Sequence, residues 1–423
     1  MRTTQTSTGK RRYYLIINKI SLRSSVCSVS SASGNINLTH PLVVVLDKLM
    51  MTCMSDIRVF IVVICAFFTS CISDFTPEVK GVRGILVVDG MITDGESEFR
   101  ISRSVGILED LDSINAVKNA QVYVERSDGF LFEARQIESG VYRIQNGDLD
   151  LEREYRLCLA VDGKNYQSTF LRPQVTPPID SVSWQKKGRL DPVTIHVSTH
   201  SRKEESPYYR WSYKENWEVK AQLYANAGYI GGQLVLFDLR TPNNTYYCWA
   251  RDSSKTLLLG NTEALTENTV LNEPLLEIAT TDERLSILYH VEVLQMRLRE
   301  EAYRYFRLLR EESERTGGLF NQVMSAGNNG NVFCVSDPEE IVIGYVEVAT
   351  VTRQSIYIPT APDLYVEQLY DDCFTFYGYE NNEGMYWLDY VDKKTKTYPH
   401  CVDCRRKSHA TKNKPSWWPT DHL

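Results

Sequence analysis

The residue types best suited to chemistry in this chain gather near its C-terminus. Cys401 and Cys404 stand in a CxxC spacing, with His400 and His409 close by. Thiolates and imidazoles are the ligand types of a tetrahedral zinc site. Such a site needs four donors, usually supplied by a second CxxC or an HxxxH at regular separation. None follows here, so the pattern favours disulfide bonds, with free thiols and then metal as the alternatives. Setting aside Cys71 and the three cysteines before it, six remain: Cys158, Cys248, Cys334, Cys373, Cys401 and Cys404. An even number suits pairing in an exported protein. Cys334, Cys373, Cys401 and Cys404 are the disulfide candidates, with Cys401 or Cys404 expected to bond Cys373 or Cys334. The reason is that a tail without hydrophobic periodicity needs a covalent tie. Cys158, between Leu157 and Leu159, reads as a buried small hydrophobe.

Other catalytic signatures are missing. His196 and His200 are four apart but fall in a strand-like stretch without the glutamate of a helical HExxH motif. There is no GxSxG elbow, no P-loop and no GxGxxG after a strand. Acidic pairs such as Glu339-Glu340 and Asp371-Asp372 read as solvated loop charges. The expectation is therefore no catalytic residue, no metal and no cofactor. The one feature left is aromatic: 25 Tyr and 7 Trp, concentrated in 208–217, 246–249, 303–306, 365–390 and 417–418. Packing explains most of them. A subset exposed on one face would suit recognition of glycans, peptides or a partner protein, since rings give contact area at low entropic cost.

The elements that must hold these residues read as β. Ile85–Gly90, Phe99–Ser104, Ala120–Arg126, Leu131–Ala134, Val141–Ile144 and Tyr155–Val161 alternate or run apolar between Asp-Gly, Ser-Gly and Asn-Gly turns. That spacing favours an immunoglobulin-like or transthyretin-like sandwich. Pro173 and Pro177-Pro178 punctuate a boundary. Ile179–Trp184, Val193–Thr199, Tyr209–Tyr213 and Trp217–Leu223 then open a second, fibronectin-like module. Leu285–Met296 reads as a long strand running into one clear helix, Arg299–Arg315, with Ala302, Tyr305, Phe306 and Leu309 along one face. Further strands are expected at Ile341–Val348 and Ser355–Ile358. The fold class is thus mainly β: two tandem immunoglobulin/fibronectin-like sandwich modules with one helix in the second half.

Charge divides the chain unevenly. The 423 residues carry a formal net charge of −7, which disfavours a nucleic-acid binder. Residues 1–70 hold eight basic and two acidic side chains, leaving a net of −13 on the rest. At the join, Arg58 precedes the ten-residue apolar run Val59–Phe68, about half of what a membrane-spanning helix needs. The run ends in Phe68-Thr69-Ser70-Cys71, which resembles the lipobox of bacterial lipoproteins, whose cysteine is acylated. The expected division is a start-site artefact or disordered leader at 1–49, a lipoprotein signal peptide at 50–70 and a tether at 71–83. An N-terminal β-sandwich at 84–175 and a second β-rich domain at 176–423 follow.

Several stretches in order resemble the domain-of-unknown-function-4249 lipoproteins of Bacteroidota-type bacteria. They are Cys71, Leu86–Gly90, Tyr166–Ser168, Pro177–Val182, Ala302–Phe306, Gly318–Phe320, Gly330-Asn331, Ile343–Tyr345, Cys401–Arg405 and Lys414–Pro419. The resemblance implies lipid attachment at Cys71, an outer-membrane location with the leaflet undecided, and a TonB-dependent receptor as partner. The expected function is non-enzymatic assistance in nutrient binding or uptake. The alternatives are a secreted-type hydrolase acting on glycan or peptide, and an adhesin or envelope-structural protein.

Overall fold

The computed structural model describes residues 84–104, 115–225, 227–230, 233–238, 244–316, 330–369, 373, 386–390 and 393–419. The expected leader, signal segment, Cys71 and tether lie outside them, as do Gly318–Phe320 and Asp371-Asp372. The described chain is mainly β, and most of its strands wrap one or other of its two largest cores.

The first core is wrapped by β1 (Leu86–Gly90), β2 (Gly95–Arg103), β3 (Gln121–Arg126), β4 (Leu131–Glu138), β5 (Val141–Gly147), β6 (Tyr155–Val161) and β7 (Lys164–Ser168). Alternation sets which side chains enter: Val122 and Val124 of β3 are buried while Gln121 is exposed. The strands form one continuous sheet that folds over at β4. Residues 131–133 of that strand pair with β3, and residues 134–138 pair with β5. This switch brings Phe99, Tyr142, Leu157 and Tyr166 from both halves into one core. Turn chemistry fixes the register. Between β6 and β7, Asp162 (φ 51°) and Gly163 (φ 79°) form a two-residue hairpin turn that needs positive φ at both positions.

The second core lies between two sheets. One holds β8 (Ile179–Gln185), β9 (Val193–Ser201) and β12 (Asn268–Ile278), in the order β8-β9-β12. The other runs β16-β13-β10-β11, from β10 (Tyr208–Lys220), β11 (Tyr247–Ser253), β13 (Leu288–Leu298) and β16 (Val351–Pro359). Counted within the module, strands 1-2-5 face strands 7-6-3-4, an immunoglobulin-like sandwich in which the fourth strand joins the third rather than the fifth.

Where two strands were expected at Tyr209–Tyr213 and Trp217–Leu223, there is one of thirteen residues. Lys214-Glu215-Asn216 looks like a turn in sequence. Inside the sandwich, however, Glu215 accepts from Arg284 (2.7 Å) and from the Tyr289 hydroxyl (2.6 Å), so the strand continues through it. The strand expected from Leu285 begins at Leu288, because Glu283–Leu285 forms a 3-10 turn capped by Asp282.

Helix α1 (Glu300–Thr316) follows β13 directly and buries Ala302, Tyr305 and Phe306, as its periodicity predicts. The chain then returns to the first module, a step absent from the expected 175/176 division. β14 (Val332–Cys334) pairs with β7, and β15 (Val342–Ile343) lies parallel to β1. The continuous strand expected over Ile341–Val348 is interrupted here. Gly330 and Gly344 meet backbone to backbone, and a Cβ on Gly330 would stand 1.9 Å from the Gly344 carbonyl oxygen. Asn331 then bridges the break, its amide oxygen accepting from Val346 N (2.8 Å) and its amide nitrogen donating to Val346 O (3.0 Å).

A third core joins the modules, formed by Val87, Met296, Ala302, Tyr305, Phe306 and Ile343 among others. The unbroken apolar run at Ile85–Val88 is explained by it: Leu86 and Val88 face the first core, and Ile85 and Val87 face the junction. At the same junction Arg299 pairs with the fully buried Glu347.

Candidate functional site

The C-terminal segment runs along the β11 edge of the second module's larger sheet and ends with Trp417 and Trp418 on its outer face, and two disulfides hold it. Cys248 of β11 is bonded to Cys404, and Cys373 is bonded to Cys401. Of the four cysteines expected to pair, Cys373, Cys401 and Cys404 do so. Cys334 does not: it is a buried free thiol on β14, turned into the first core. Its place is taken by Cys248, whose β11 neighbours Trp249 and Ala250 pair with Thr411 and Ala410 of the tail. Asp403 caps the turn at Cys404–Arg406 by accepting from Arg405 N (3.0 Å).

These ties also decide the fate of the zinc-type pattern. Cys373, His400 and Cys401 offer ligand atoms within 4.8 Å of one another, but the two sulfurs are spent on each other. Cys404 is committed elsewhere. The two histidines of β9 do not converge on a ligand either: His200 pairs with Asp180 (2.8 Å), which raises its pKa. Glu340 accepts from Lys164 (2.6 Å) and from the Tyr166 hydroxyl (2.8 Å), tying β7 to the returning segment. Cys158 lies beside Glu125 (3.5 Å), and burial pushes its thiol up to about 11, far from a reactive thiolate.

What the tail does build is an aromatic shelf. Trp418 is buried against Trp249 and Leu288 and donates its indole N–H to Glu218 Oε2 (3.1 Å). This anchor presents its neighbour Trp417, which remains 49% exposed. The Trp417 ring lies 4.7 Å from His290 of β13, and His290 lies 4.6 Å from Tyr357 of β16, itself 41% exposed. His290 is 7% exposed, and its Nδ1 is buried without a hydrogen-bond partner. Burial lowers its pKa and favours the neutral ring, with Glu292 acting weakly in the opposite direction. Behind the shelf Lys412 donates to the Tyr247 carbonyl (2.8 Å) and stands 6.0 Å over the Trp249 ring. Two partly exposed rings over a clamped base are the kind of side chain that stacks against the apolar face of a sugar or a peptide side chain.

Of the aromatic concentrations in the sequence, 246–249 and 417–418 come together here. Those at 208–217 and 303–306 are used in packing, as in the stacked Tyr208–Tyr303 pair (4.6 Å). Sequence reasoning missed Cys248, His290 and Tyr357. Cysteine parity was the one signal for the first: six cysteines beyond the leader left Cys248 without an assigned role. For His290 and Tyr357 the signal was strand register across β13 and β16, which no spacing rule supplies.

A family model described as Domain of unknown function (DUF4249) matches residues 72–355. No curated protein matches the chain. Among solved structures, a two-fibronectin-type-III-domain segment of chicken tenascin aligns at 11% identity. That alignment covers 50% of this chain and 90% of the tenascin chain, with a TM-score of 0.15. The sandwich assignment rests on the strand order.

Proposed function

The chain belongs to the DUF4249 family, and from that premise we propose that it is a non-enzymatic binding protein of the outer membrane. It is anchored through lipid on Cys71 and assists a TonB-dependent receptor in capturing or importing a nutrient. The observation that carries the binding role is the shelf formed by Trp417, on the disulfide-clasped tail, and Tyr357, on β16, two partly exposed rings on either side of His290. Large exposed rings on a fixed support are the residue type and setting found at interaction hot spots. The membrane half of the proposal is supported by the apolar run Val59–Phe68 and the lipobox-like Thr69-Ser70-Cys71. The disulfides suit a compartment outside the cytoplasm. Several acyl chains on one cysteine would anchor firmly, at about 0.8 kcal/mol per buried methylene.

The test is affinity capture of the protein from detergent-solubilised native membranes, followed by mass spectrometry. The expected result is a TonB-dependent receptor among the captured proteins and an N-terminal peptide beginning at acylated Cys71. The W417A/Y357A double variant should retain the lipid and lose at least tenfold of the captured receptor or of its nutrient uptake. Capture without a receptor, or an unmodified peptide running through Cys71, overturns the proposal.

A further inference from the structure

The aromatic shelf occupies one end of a larger surface, the outer face of the β16-β13-β10-β11 sheet. Alternation assigns the side chains to it. Tyr213 and Trp217 of β10, Cys248 and Ala250 of β11, and Tyr289 and Val291 of β13 turn into the second core. Lys214 and Asn216, Arg251 and Ser253, and His290 and Glu292 therefore turn outward. Helix α1 covers the far end of this face, where Tyr208 stacks on Tyr303 and the Arg210 guanidinium lies 4.6 Å from the Phe306 ring. Trp417 and Trp418 occupy the near end, against His290 and Leu288.

Between those two ends strand register sets out a line of positive charge. Tyr357 stands opposite His290, His290 opposite Asn216, and Asn216 opposite Arg251. Two residues nearer α1, Lys214 stands opposite Glu292. Two residues further on, Arg353 stands opposite Leu294. Strand spacing and rise put the Cα atoms of Arg251 and Lys214 roughly 8 Å apart, and those of Lys214 and Arg353 roughly 12 Å apart. All three side chains are exposed, and none forms an ion pair or a side-chain hydrogen bond among the described residues. Against them stand Glu292, half-buried, and Glu218, buried beneath Trp418. The tail beside the shelf adds the same sign: residues 404–419 hold five Lys and Arg and no Asp or Glu. Asp403 and Glu283 answer two of these, Arg405 and Lys407, while Lys412 stands over the Trp249 ring. Beyond residue 70 the chain as a whole is strongly acidic, so a positive stretch beside exposed rings is a local exception to it.

We propose that this face binds an acidic oligosaccharide, a chain of sugar rings bearing carboxylates at intervals. The proposal rests on the reading of the shelf as a binding surface and names the class of its ligand. Trp417 and Tyr357 stack against the apolar faces of the sugars. Arg251, Lys214 and Arg353 meet the carboxylates, the two arginines through paired N–H donors. An acidic peptide matches the charges but does not offer the rings a flat face at every repeat. A densely charged polymer such as nucleic acid is repelled by the acidic remainder of the molecule. Sugar rings space the negative groups, so that each is met by a separate cation.

The experiment is isothermal titration calorimetry of the purified full-length protein with oligosaccharides of hyaluronate and of galacturonate. Neutral cello- and malto-oligosaccharides and oligoglutamate serve as comparisons. Expected is saturable binding of at least one acidic oligosaccharide, at least tenfold tighter than any of the comparisons and weakened by added salt. The triple variant K214Q/R251Q/R353Q and the variant W417A should each lose at least tenfold of that affinity. The three charged positions are exposed, so the triple variant should keep the native thermal midpoint, which separates lost binding from lost folding. R251Q alone should lose at least threefold and keeps the test decisive if the triple variant does not fold. No heat with either acidic oligosaccharide overturns the proposal, as does equal binding of oligoglutamate or binding unchanged in the triple variant. Binding of a neutral oligosaccharide that W417A abolishes and the triple variant keeps would overturn the acidic ligand and leave the shelf standing as a binding surface. Receptor capture can fail while this titration succeeds, and the reverse, so the two proposals are tested separately.

Discussion

Wedged between Tyr357 and Trp417, His290 is a base whose surroundings favour its neutral form. Burial is the main cause. Because its folded pKa lies below the ordinary value near 6.5, the unfolded chain takes up a proton first as the pH drops. Stability is therefore unaffected above that value and falls as the pH goes down through it. His200 works in the opposite sense: Asp180 raises its pKa, so its contribution is present at low pH and fades as the pH rises. That pair is exposed and screened, and contributes little. The carboxyls of Glu205, Glu340 and Asp252 are held below their ordinary values by Arg297, Lys164 and Lys255 respectively, despite opposing burial. They titrate in a lower window. Comparing variants isolates the imidazole. His290→Phe keeps a ring between Tyr357 and Trp417 and removes both the orphan Nδ1 and the titration. The thermal midpoint of H290F minus that of the native protein should be constant above pH 7 and grow between about pH 6.5 and 5. Parallel curves through that interval would show that His290 does not titrate on unfolding.

At the level of elements, the strands were legible wherever one face is buried and the other wet. Val122 and Val124, or Tyr209, Trp211 and Tyr213, declare a period of two. The helix was equally plain from Ala302, Tyr305 and Phe306. What the pattern hid was any place where a polar residue is satisfied from a distance. Glu215 reads as a break until Arg284 and Tyr289 are seen beside it. Ile341–Val348 reads as one strand until Gly344 is seen against Gly330. Disulfide connectivity was hidden for a related reason: pairing follows from which strand lies under the tail, and Cys248 is brought to Cys404 across a sequence separation of 156 residues. That separation has a consequence. In the chain-entropy view a disulfide stabilises by restricting the unfolded chain, more for a longer loop. The Cys373–Cys401 loop spans only 28 residues, so the longer bond should contribute about 1.5 kcal/mol more. Urea unfolding of C248A/C404A and of C373A/C401A checks this. Each should lose about 2–5 kcal/mol, with the first pair losing more. Equal losses would mean that local packing, and not loop length, sets the contribution.

At the scale of the molecule, the two modules are less separable than the chain's punctuation suggests. Pro173 and Pro177-Pro178 mark a boundary in sequence, yet the first sandwich is completed by residues that come after the second has nearly closed. Val332, Val342, Val346 and Val348 are buried in the first core, and β14 and β15 cover two strands of its sheet. A fragment of residues 84–175 would lose all four valines, each contributing about 1.5–3 kcal/mol when fully buried. It would also expose Ile85, Val87 and Met91, which face α1 and the second module. The sum is comparable with the whole stability of an ordinary domain, about 5–15 kcal/mol. The fragment 84–175 should therefore fail to fold, giving a poorly dispersed amide NMR spectrum and no cooperative melt. Residues 84–419 should unfold in one calorimetric transition whose van't Hoff and calorimetric enthalpies agree. Two resolved transitions, or a cooperative melt of the short fragment, would show instead that the returning segment decorates a sandwich already stable by itself. In that case the junction between the modules would be an interface free to open. A single transition would mean that the junction unfolds together with both cores.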